Sequence, residues 1–370
     1  MEHRLYSSVK VGPYQLSHRV VLAPLTRLRS AQPSDAASDM MAVHYGQRAS
    51  QGGLLIAEGT AVSQGGRSYL GAPAIYTEEQ VTGWKKVTEA VHAKGGRIFV
   101  QLFHGGRQSH VFMTGGAAPV APSVVPQFQS VALTDEGFVP VSPHRALAID
   151  EIAAIVEDFR HAAKMALKAG FDGVELHGAN GYLPDQFLQD GSNQRTDAYG
   201  GPVENRARFM LELVDALTSV WGAERVAVRI SPSGEWGDIS DSNPDATFGY
   251  LAAKLDAYGL AYLHIIEPRI KGDDTLHEGQ ADVAATTLRK VYKGTIIAAG
   301  GFTRESAQDI VARGDADLVA FGRHFSSNPD LPERLKRNLP LNHYRRDAFW
   351  GGDESGYNDF ATYEEQAKAA

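Results

Sequence analysis

The stretch Gly173-Val174-Glu175-Leu176-His177-Gly178-Ala179-Asn180-Gly181-Tyr182 places three polar side chains directly after a short apolar run. Ligands of parallel α/β proteins collect at the carboxyl ends of the strands, so His177, Asn180 and Tyr182 are expected to face a site. A lone histidine is more often a hydrogen-bonded core residue, but Asn180 and Tyr182 follow it closely. The stretch therefore predicts the end of a buried strand and the start of a functional loop.

Short runs rich in apolar and β-branched residues recur along the chain, and amphipathic helical stretches fill most of the gaps between them. This pattern predicts a closed (β/α)8 barrel, with an open doubly wound sheet as the alternative. The open sheet is disfavoured because no G-x-G-x-x-G follows any strand. The predicted strands are Val20–Ala23, Leu54–Ala57, Ile98–Leu102, Gly173–Leu176, Val226–Ile230, Tyr262–Ile266, Thr295–Ala299 and Leu318–Phe321.

Three helices carry recognisable start or stop signals. Thr77 and Gln80 form a predicted capping box, Asp150 is expected to cap a helix that ends near residue 170, and Thr303 caps a helix that stops at Gly314. These signals support helices between the strands.

Two segments depart from the βα repeat. Residues Val9–Leu16 are expected to form a hairpin that plugs the bottom of the barrel. Residues 103–148, rich in Gly and Pro, form an excursion after the third strand that is expected to shape a substrate site. With no linker evident, residues 1–370 are interpreted as a single domain.

Composition and charge exclude several classes of function. The net charge of -8 and the absence of a Lys/Arg run argue against nucleic acid and anionic membranes as partners. The chain has no cysteine, which excludes disulfides, iron–sulfur clusters and thiolate ligands. No histidine spacing suggests a metal site. Without a signal peptide or an apolar span, we expect a cytoplasmic protein, either a monomer or a homodimer.

Residues after the last two predicted strands are typical of a phosphate site. Gly300-Gly301 and Gly322-Arg323 follow strands seven and eight, where barrels commonly bind phosphate through backbone N–H groups. Arg323 adds a charge-assisted contact. A tight turn is the alternative explanation of the glycine pair.

Polar side chains within otherwise apolar strands indicate further contacts. Arg229 needs an anionic or carbonyl partner, or a structural ion pair with Glu175 or Glu58. Gln101 suits the amide edge of a heterocycle, and Thr26 offers a hydroxyl or merely caps a helix. Glu58 itself is interpreted as structural.

The chain resembles the Old Yellow Enzyme family of FMN-dependent ene-reductases nearly from end to end. The motifs that carry the resemblance are Ala23-Pro24-Leu25-Thr26-Arg27, Gln101, residues 177–206 with Gln189-Asp190-Gly191-Ser192-Asn193-Gln194-Arg195, Phe321-Gly322-Arg323 and Asn328-Pro329-Asp330-Leu331.

The resemblance implies a noncovalent FMN at the barrel mouth, reduced by NADPH or NADH and reoxidised by an activated alkene. His177 and Asn180 would bind the substrate oxygen, Tyr182 would donate the α-proton, and Thr26 would tune the flavin. The FMN-binding residues would be Pro24, Thr26, Gly59, Gln101, Arg229, Gly300, Gly301, Gly322 and Arg323. Substrates would be enones, quinones or nitro compounds.

Other positions matched to the family are expected to line the substrate pocket, namely Tyr69, Phe103 and Tyr357. Phe103 stands where many relatives carry tryptophan, and Gly59 where an alanine often contacts the flavin, so both bear on substrate size and facial selectivity. Thr26, in place of cysteine, matches the classical branch of the family. The rival interpretations are a flavin-free aldolase or isomerase, for which no strand-end base or Schiff-base lysine is apparent, and a noncatalytic ligand-binding or scaffolding barrel.

Overall fold

A computed structural model describes residues 3–126, 130–268 and 283–369. Its centre is a closed barrel of eight parallel strands, which we number β1 to β8 in chain order. The predicted (β/α)8 fold is therefore confirmed. The strands are Val20–Leu22, Leu54–Ala61, Arg97–Phe103, Gly173–Gly178, Val226–Ile230, Tyr262–Ile266, Ile296–Ala299 and Leu318–Phe321.

The barrel strands are buried on both faces, because helices cover the outside and side chains fill the inside. Each strand pairs with the next in parallel register, and β8 closes the barrel on β1 through Val319 opposite Val20. An unbroken apolar run is the sequence signature of such a strand. Ile56, Phe99 and Tyr262 belong to one buried cluster in the barrel interior.

Helices follow the strands on the outside of the barrel. The described helices, α1 to α12, are Asp39–Arg48, Glu78–His92, Ile149–Lys168, Leu183–Leu188, Val203–Arg206, Arg208–Trp221, Pro244–Asp256, Ala285–Leu288, Arg304–Arg313, Arg323–Ser327, Leu331–Arg337 and Tyr363–Ala369. Short 3-10 turns lie at Arg4–Tyr6, Gln64–Gly66, Ala223–Arg225 and Arg346–Ala348. None of the helices in the described ranges is long and apolar enough to cross a bilayer.

Most start and stop signals are confirmed, and one is wrong. Thr77 and Gln80 form the capping box of α2, and Thr303 and Gly314 bound α9. Asp150, however, lies inside α3, whose N-cap is Ala148. Glu151 accepts a hydrogen bond from the Ala148 backbone N–H at 2.8 Å. A carboxylate in the first turn thus replaces the expected N-cap side chain.

Two strand boundaries differ from the prediction in ways that matter for the site. Strand β4 continues to Gly178, so His177 is its penultimate residue and not the first residue of a loop. Strand β2 runs through to Ala61 with a register shift after Ala57. The polar residues at these strand ends are held by ladder hydrogen bonds, which fix their positions better than a loop would.

The N-terminal hairpin and the long excursion close the two ends of the barrel. Strands Val9–Val11 and Tyr14–Leu16 pair antiparallel, and Val11 and Leu16 pack against the barrel interior as predicted. At the opposite end, the excursion forms a second antiparallel hairpin from Val131–Thr134 and Gly137–Pro140. It also pairs Val120–Ala121 with Arg145–Ala146.

Candidate active site

A cavity of about 600 Å³ opens at the carboxyl ends of the barrel strands. This volume is within the range of small-molecule and cofactor sites. Of the residues predicted for the site, those that line the cavity are Pro24, Thr26, Tyr69, Gln101, His177, Asn180, Tyr182, Arg229, Gly300, Gly301, Gly322 and Arg323. The tertiary fold thus brings the ends of several barrel strands together with the loop that carries Tyr69.

Two tyrosine hydroxyls meet in the cavity wall. Tyr182 donates a hydrogen bond to the Tyr69 hydroxyl at 3.3 Å. Burial, and then the neighbouring Tyr69, raise the pKa of Tyr182 well above its usual value. Burial also raises the pKa of Tyr69. Both phenols therefore keep their protons at neutral pH.

His177 and Asn180 carry polar atoms that the described residues leave unsatisfied. Nδ1 of His177 and Oδ1 of Asn180 are buried without a hydrogen-bond partner in the described ranges. Burial, together with Arg229, lowers the pKa of His177 well below its usual value, so the ring is neutral. Buried polar atoms without partners cost stability. Their position in a cavity wall leaves the imidazole and the amide available to hydrogen-bond a ligand.

Asn180 has a left-handed backbone conformation, with a φ of 56°. Its N–H donates to the Ser231 hydroxyl at 2.8 Å, and its carbonyl accepts from the Gln108 amide at 2.8 Å. Asparagine tolerates this region better than most residues. The surrounding hydrogen bonds offset the strain and aim the side chain at the cavity.

The cavity floor is formed by Thr26, Gln101 and Arg229. Burial lowers the pKa of Arg229, but the group remains a cation at neutral pH. Its Nε has no hydrogen-bond partner among the described residues. The Nε atom of Arg229 therefore makes no direct contact with Glu175 or Glu58, the two ion-pair partners considered for it. This cation remains available to a ligand.

Glu58 is structural, as its sequence context suggested. Its carboxylate accepts hydrogen bonds from the Arg27 backbone N–H at 3.0 Å and from the Tyr45 hydroxyl at 3.2 Å. Burial raises the pKa of Glu58 to about 7. The residue lies outside the cavity wall.

Glycine turns and arginines meet at the other end of the cavity. Gly301 has a φ of 63°, a region that glycine adopts without a steric cost. Gly322 follows the end of β8 and precedes Arg323, while Arg346 approaches the same cavity from the C-terminal part of the chain. Backbone N–H groups and guanidinium groups in this arrangement suit a phosphate.

The structure does not bring three of the predicted residues into the cavity wall. Tyr357, expected to contact substrate, is fully buried, stacks on His44 with ring centroids 3.8 Å apart, and does not line this cavity. Phe103 packs behind the wall, edge-to-face on Tyr182 at 5.2 Å. Gly59 lies behind Thr26 and Gln101, where a Cβ atom would be 3.7 Å from each side chain.

The aromatic residues that the C-terminal segment contributes are Phe349 and Trp350, not Tyr357. Phe349 and Trp350 line the cavity, and the Arg27 guanidinium donates to the Phe349 carbonyl at 2.9 Å. Arg29 donates to the nearby Ala348 carbonyl at 3.0 Å. These buried cations anchor the segment against the barrel. The pair Gly351-Gly352 after Trp350 was the available sequence signal.

Trp236, after β5, is a further wall residue that was not predicted from the sequence. A Cβ atom on Gly181 would lie 2.4 Å from the Trp236 carbonyl oxygen, so glycine is needed for this close approach. The excursion contributes Val131 and Phe138 to the wall, in agreement with the role expected for it. The described residues include no group of three or more potential metal ligands.

The family model described as NADH:flavin oxidoreductase / NADH oxidase matches residues 4–342. The chain belongs to this family. The 12-oxophytodienoate reductase 2 of Arabidopsis thaliana is 45% identical over 371 residues, covering 98% of this chain and 96% of the relative. The resemblance to Old Yellow Enzymes is thereby confirmed.

Solved structures that are similar to this chain support the same family assignment. Morphinone reductase in complex with tetrahydroNAD has a TM-score of 0.89 at 46% identity, and the alignment covers 97% of each chain. The Old Yellow Enzyme homologue from Zymomonas mobilis has a TM-score of 0.91 at 39% identity, covering 96% of this chain and 99% of that one. The protein is thus a flavin-dependent oxidoreductase that takes its electrons from a nicotinamide cofactor.

The residues present fit FMN, the cofactor of this family. The Arg229 cation would provide a donor and the Gln101 amide oxygen an acceptor for a heterocycle at the floor, and the glycine turns with Arg323 would provide a phosphate cradle. The unpartnered Nε of Arg229 is the observation that favours a bound group. When bound, FMN supplies hydride transfer between the nicotinamide cofactor and the substrate.

Proposed function

We propose that this protein reduces the C=C bond of activated alkenes, namely α,β-unsaturated carbonyl and nitro compounds. The observation that carries the proposal is the convergence of His177, Asn180 and Tyr182 on one wall of the cavity. The site offers donors for a substrate oxygen beside a phenol that retains its proton. A ketone reductase would need a proton donor at the oxygen, whereas this arrangement separates oxygen binding from proton donation.

His177 and Asn180 bind and polarise the substrate oxygen in this proposal. A neutral imidazole donates one N–H, and the Asn180 amide donates another. Two hydrogen bonds to the oxygen withdraw electron density from the conjugated double bond and stabilise the negative charge that develops on the oxygen. The same two groups can donate hydrogen bonds to the oxygens of nitro compounds and quinones.

Tyr182 delivers the proton to the α-carbon. Its raised pKa makes it a poor acid toward water but a sufficient one toward the strongly basic carbon formed on hydride addition. Tyr69 orients this phenol through the hydrogen bond between their hydroxyls. Arg229 would hold the flavin where negative charge develops on reduction and stabilise that charge, and the Thr26 hydroxyl would tune the flavin from another side.

An isotope experiment with 2-cyclohexenone tests the proposal. The purified protein, supplied with deuterium-labelled NADPH or NADH in ordinary water, should yield the saturated ketone with deuterium at the β-carbon. With unlabelled reductant in deuterium oxide, the label should appear at the α-carbon instead. Formation of the allylic alcohol, or no conversion by flavin-loaded protein, would contradict the proposal.

We further infer that residues 1–370 act as one FMN-binding domain. The cavity wall draws on residues from Ala23 near the amino terminus to Trp350 near the carboxyl terminus. Removal of either end of the chain is therefore expected to abolish flavin binding, which absorbance of the purified truncated protein would report.

A further inference from the structure

Glu175 is a buried carboxylate directly beneath the cavity floor. It lies two residues before His177 in β4 and has no exposed surface. Its Oε1 accepts a hydrogen bond from Gln101 Nε2 at 2.7 Å, and its Oε2 accepts from His264 Nδ1 at 2.9 Å. Glu175 does not line the cavity, whereas Gln101 does. The carboxylate is therefore one hydrogen bond away from any group bound at the floor.

The contact with Glu175 fixes the orientation of the Gln101 amide. The Glu175 oxygen accepts this hydrogen bond, so the amide atom of Gln101 that faces it is the nitrogen. The amide oxygen then lies on the side of Gly59, where it would be 3.7 Å from a Cβ atom built on that residue. Gln101 thus presents an acceptor at a defined place, suited to an N–H on the edge of a heterocycle.

Glu175 also acts on the charge of Arg229. Arg229 lies opposite both His177 and His264 in the strand register. Apart from burial, Glu175 has the largest influence on the pKa of Arg229, ahead of Tyr262 and Tyr182. Burial also lowers the pKa of His264, which leaves that ring neutral beside the carboxylate. The Arg229 guanidinium at the floor and the Glu175 carboxylate, which is buried from the water that would screen their interaction, therefore lie on neighbouring strands.

We propose that Glu175 is a positioning residue of the flavin site, which orients the Gln101 amide and moderates the positive charge of Arg229. It thereby limits how strongly the floor stabilises negative charge, whether on the reduced cofactor or on a phenolate ligand. The proposal rests on the flavin chemistry described above. It does not depend on which alkene the enzyme reduces.

The variant Glu175→Gln tests this directly, because it removes the charge and keeps the shape. Its side-chain oxygen can still accept from Gln101, and its amide can still pair with His264 after a change of tautomer. We expect the reduction potential of bound FMN to become more positive. The equilibrium between the enzyme and a reference dye should shift about tenfold toward reduced FMN, which corresponds to about 1.4 kcal/mol. Binding of 4-chlorophenolate should also become tighter, because the floor of the variant stabilises negative charge more strongly.

Two control variants separate charge from packing. Glu58→Gln removes another fully buried carboxylate, whose partners are Arg27 and Tyr45 and not Arg229. It should shift the potential far less. Glu175→Asp keeps the charge but shortens the side chain, so it should leave the potential near that of the wild type. An unchanged or more negative potential in Glu175→Gln, or an equal shift in Glu58→Gln, would overturn the proposal.

A crystal structure of the wild-type enzyme with FMN is the second test, and it does not require a variant to fold. It should show Gln101 Nε2 within hydrogen-bond distance of Glu175. A Gln101 amide turned away from Glu175 would refute the positioning role. Failure of the alkene-reductase proposal would look different, since the shift in potential would persist in an enzyme that leaves 2-cyclohexenone unchanged.

Discussion

The hydroxyl oxygens of Tyr182 and Tyr69 lie 3.3 Å apart, although 113 positions separate the two residues in the chain. Phe103 packs edge-to-face against the ring of Tyr182, with ring centroids 5.2 Å apart. The proton donor of the proposed reaction is therefore fixed at its hydroxyl and at its ring. This relationship links a residue after β2 to the loop that follows β4.

Tyr182→Phe should slow only the half-reaction that needs a proton. Hydride transfer from the nicotinamide cofactor requires no protein acid, whereas reduction of an enone does. Since general acid catalysis is typically worth about 10²–10⁴-fold, we expect flavin reoxidation by 2-cyclohexenone to slow on that scale. Stopped-flow absorbance of each half-reaction measures this. Tyr69→Phe, which removes only the orienting hydroxyl, should have a smaller effect, and equal slowing of both half-reactions by Tyr182→Phe would refute the assignment.

Replacement of both His177 and Asn180 by alanine should abolish phenolate binding. In the wild type, 4-chlorophenolate above the flavin should give a long-wavelength charge-transfer band. Loss of two hydrogen bonds to a charged oxygen should weaken its binding by at least about 100-fold. Flavin absorbance serves as the control for an intact cofactor site. A double variant that retains the band would place the oxygen-binding groups elsewhere.

Arg323→Gln should weaken FMN binding through the phosphate alone. A hydrogen bond between charged groups contributes about 1.5–3 kcal/mol, so the dissociation constant should rise about 10- to 100-fold. Riboflavin lacks the phosphate and is the matched control ligand, whose affinity should change little. Fluorescence titration of the apoprotein measures both. An equal loss for the two ligands would mean that Arg323 acts on the fold.

Trp350→Ala should widen the mouth of the cavity. Trp350 and Phe138 are each more than half exposed, and their rings meet edge-to-face at 6.2 Å across two distant segments. We expect kcat/KM for a bulky 2-substituted cyclic enone, relative to 2-cyclohexenone, to rise about tenfold. Stability should fall by less than about 1.5 kcal/mol. Phe112→Ala, an exposed aromatic residue outside the wall, should leave the ratio unchanged.

His104→Asn should make the free energy of unfolding less sensitive to acid. Burial lowers the pKa of His104 from 6.5 to about 4, so below pH 6.5 the unfolded chain binds a proton that the native protein rejects. Wild-type stability should therefore fall relative to the variant by about 1.4 kcal/mol per pH unit between pH 6.5 and about 4. The amide oxygen of the introduced asparagine can still accept from the Gly106 N–H, which bonds to His104 Nδ1 in the wild type. Urea unfolding from pH 5 to 8 would show parallel curves if His104 did not contribute.

The sequence itself specified the barrel and most of the floor of the site. The apolar runs are long enough to mark strands buried on both faces, and three of the eight predicted strands match the observed bounds, for example Val226–Ile230. Polar residues that end such strands, such as His177 and Arg229, must meet at one mouth once the barrel closes. Local chemistry and periodicity were sufficient for these positions.

Only the tertiary structure decided which loop side chains complete the wall. Trp236, Phe138 and Trp350 come from irregular segments, where side-chain direction depends on long-range contacts and has no period to follow. Tyr357 resembled a pocket residue in sequence, yet the Arg27 and Arg29 guanidinium groups draw the C-terminal segment inward and bury its ring against them. The pairing of Glu175 with Gln101 and His264 likewise joins residues of other barrel strands, 74 and 89 positions away, which no local pattern encodes.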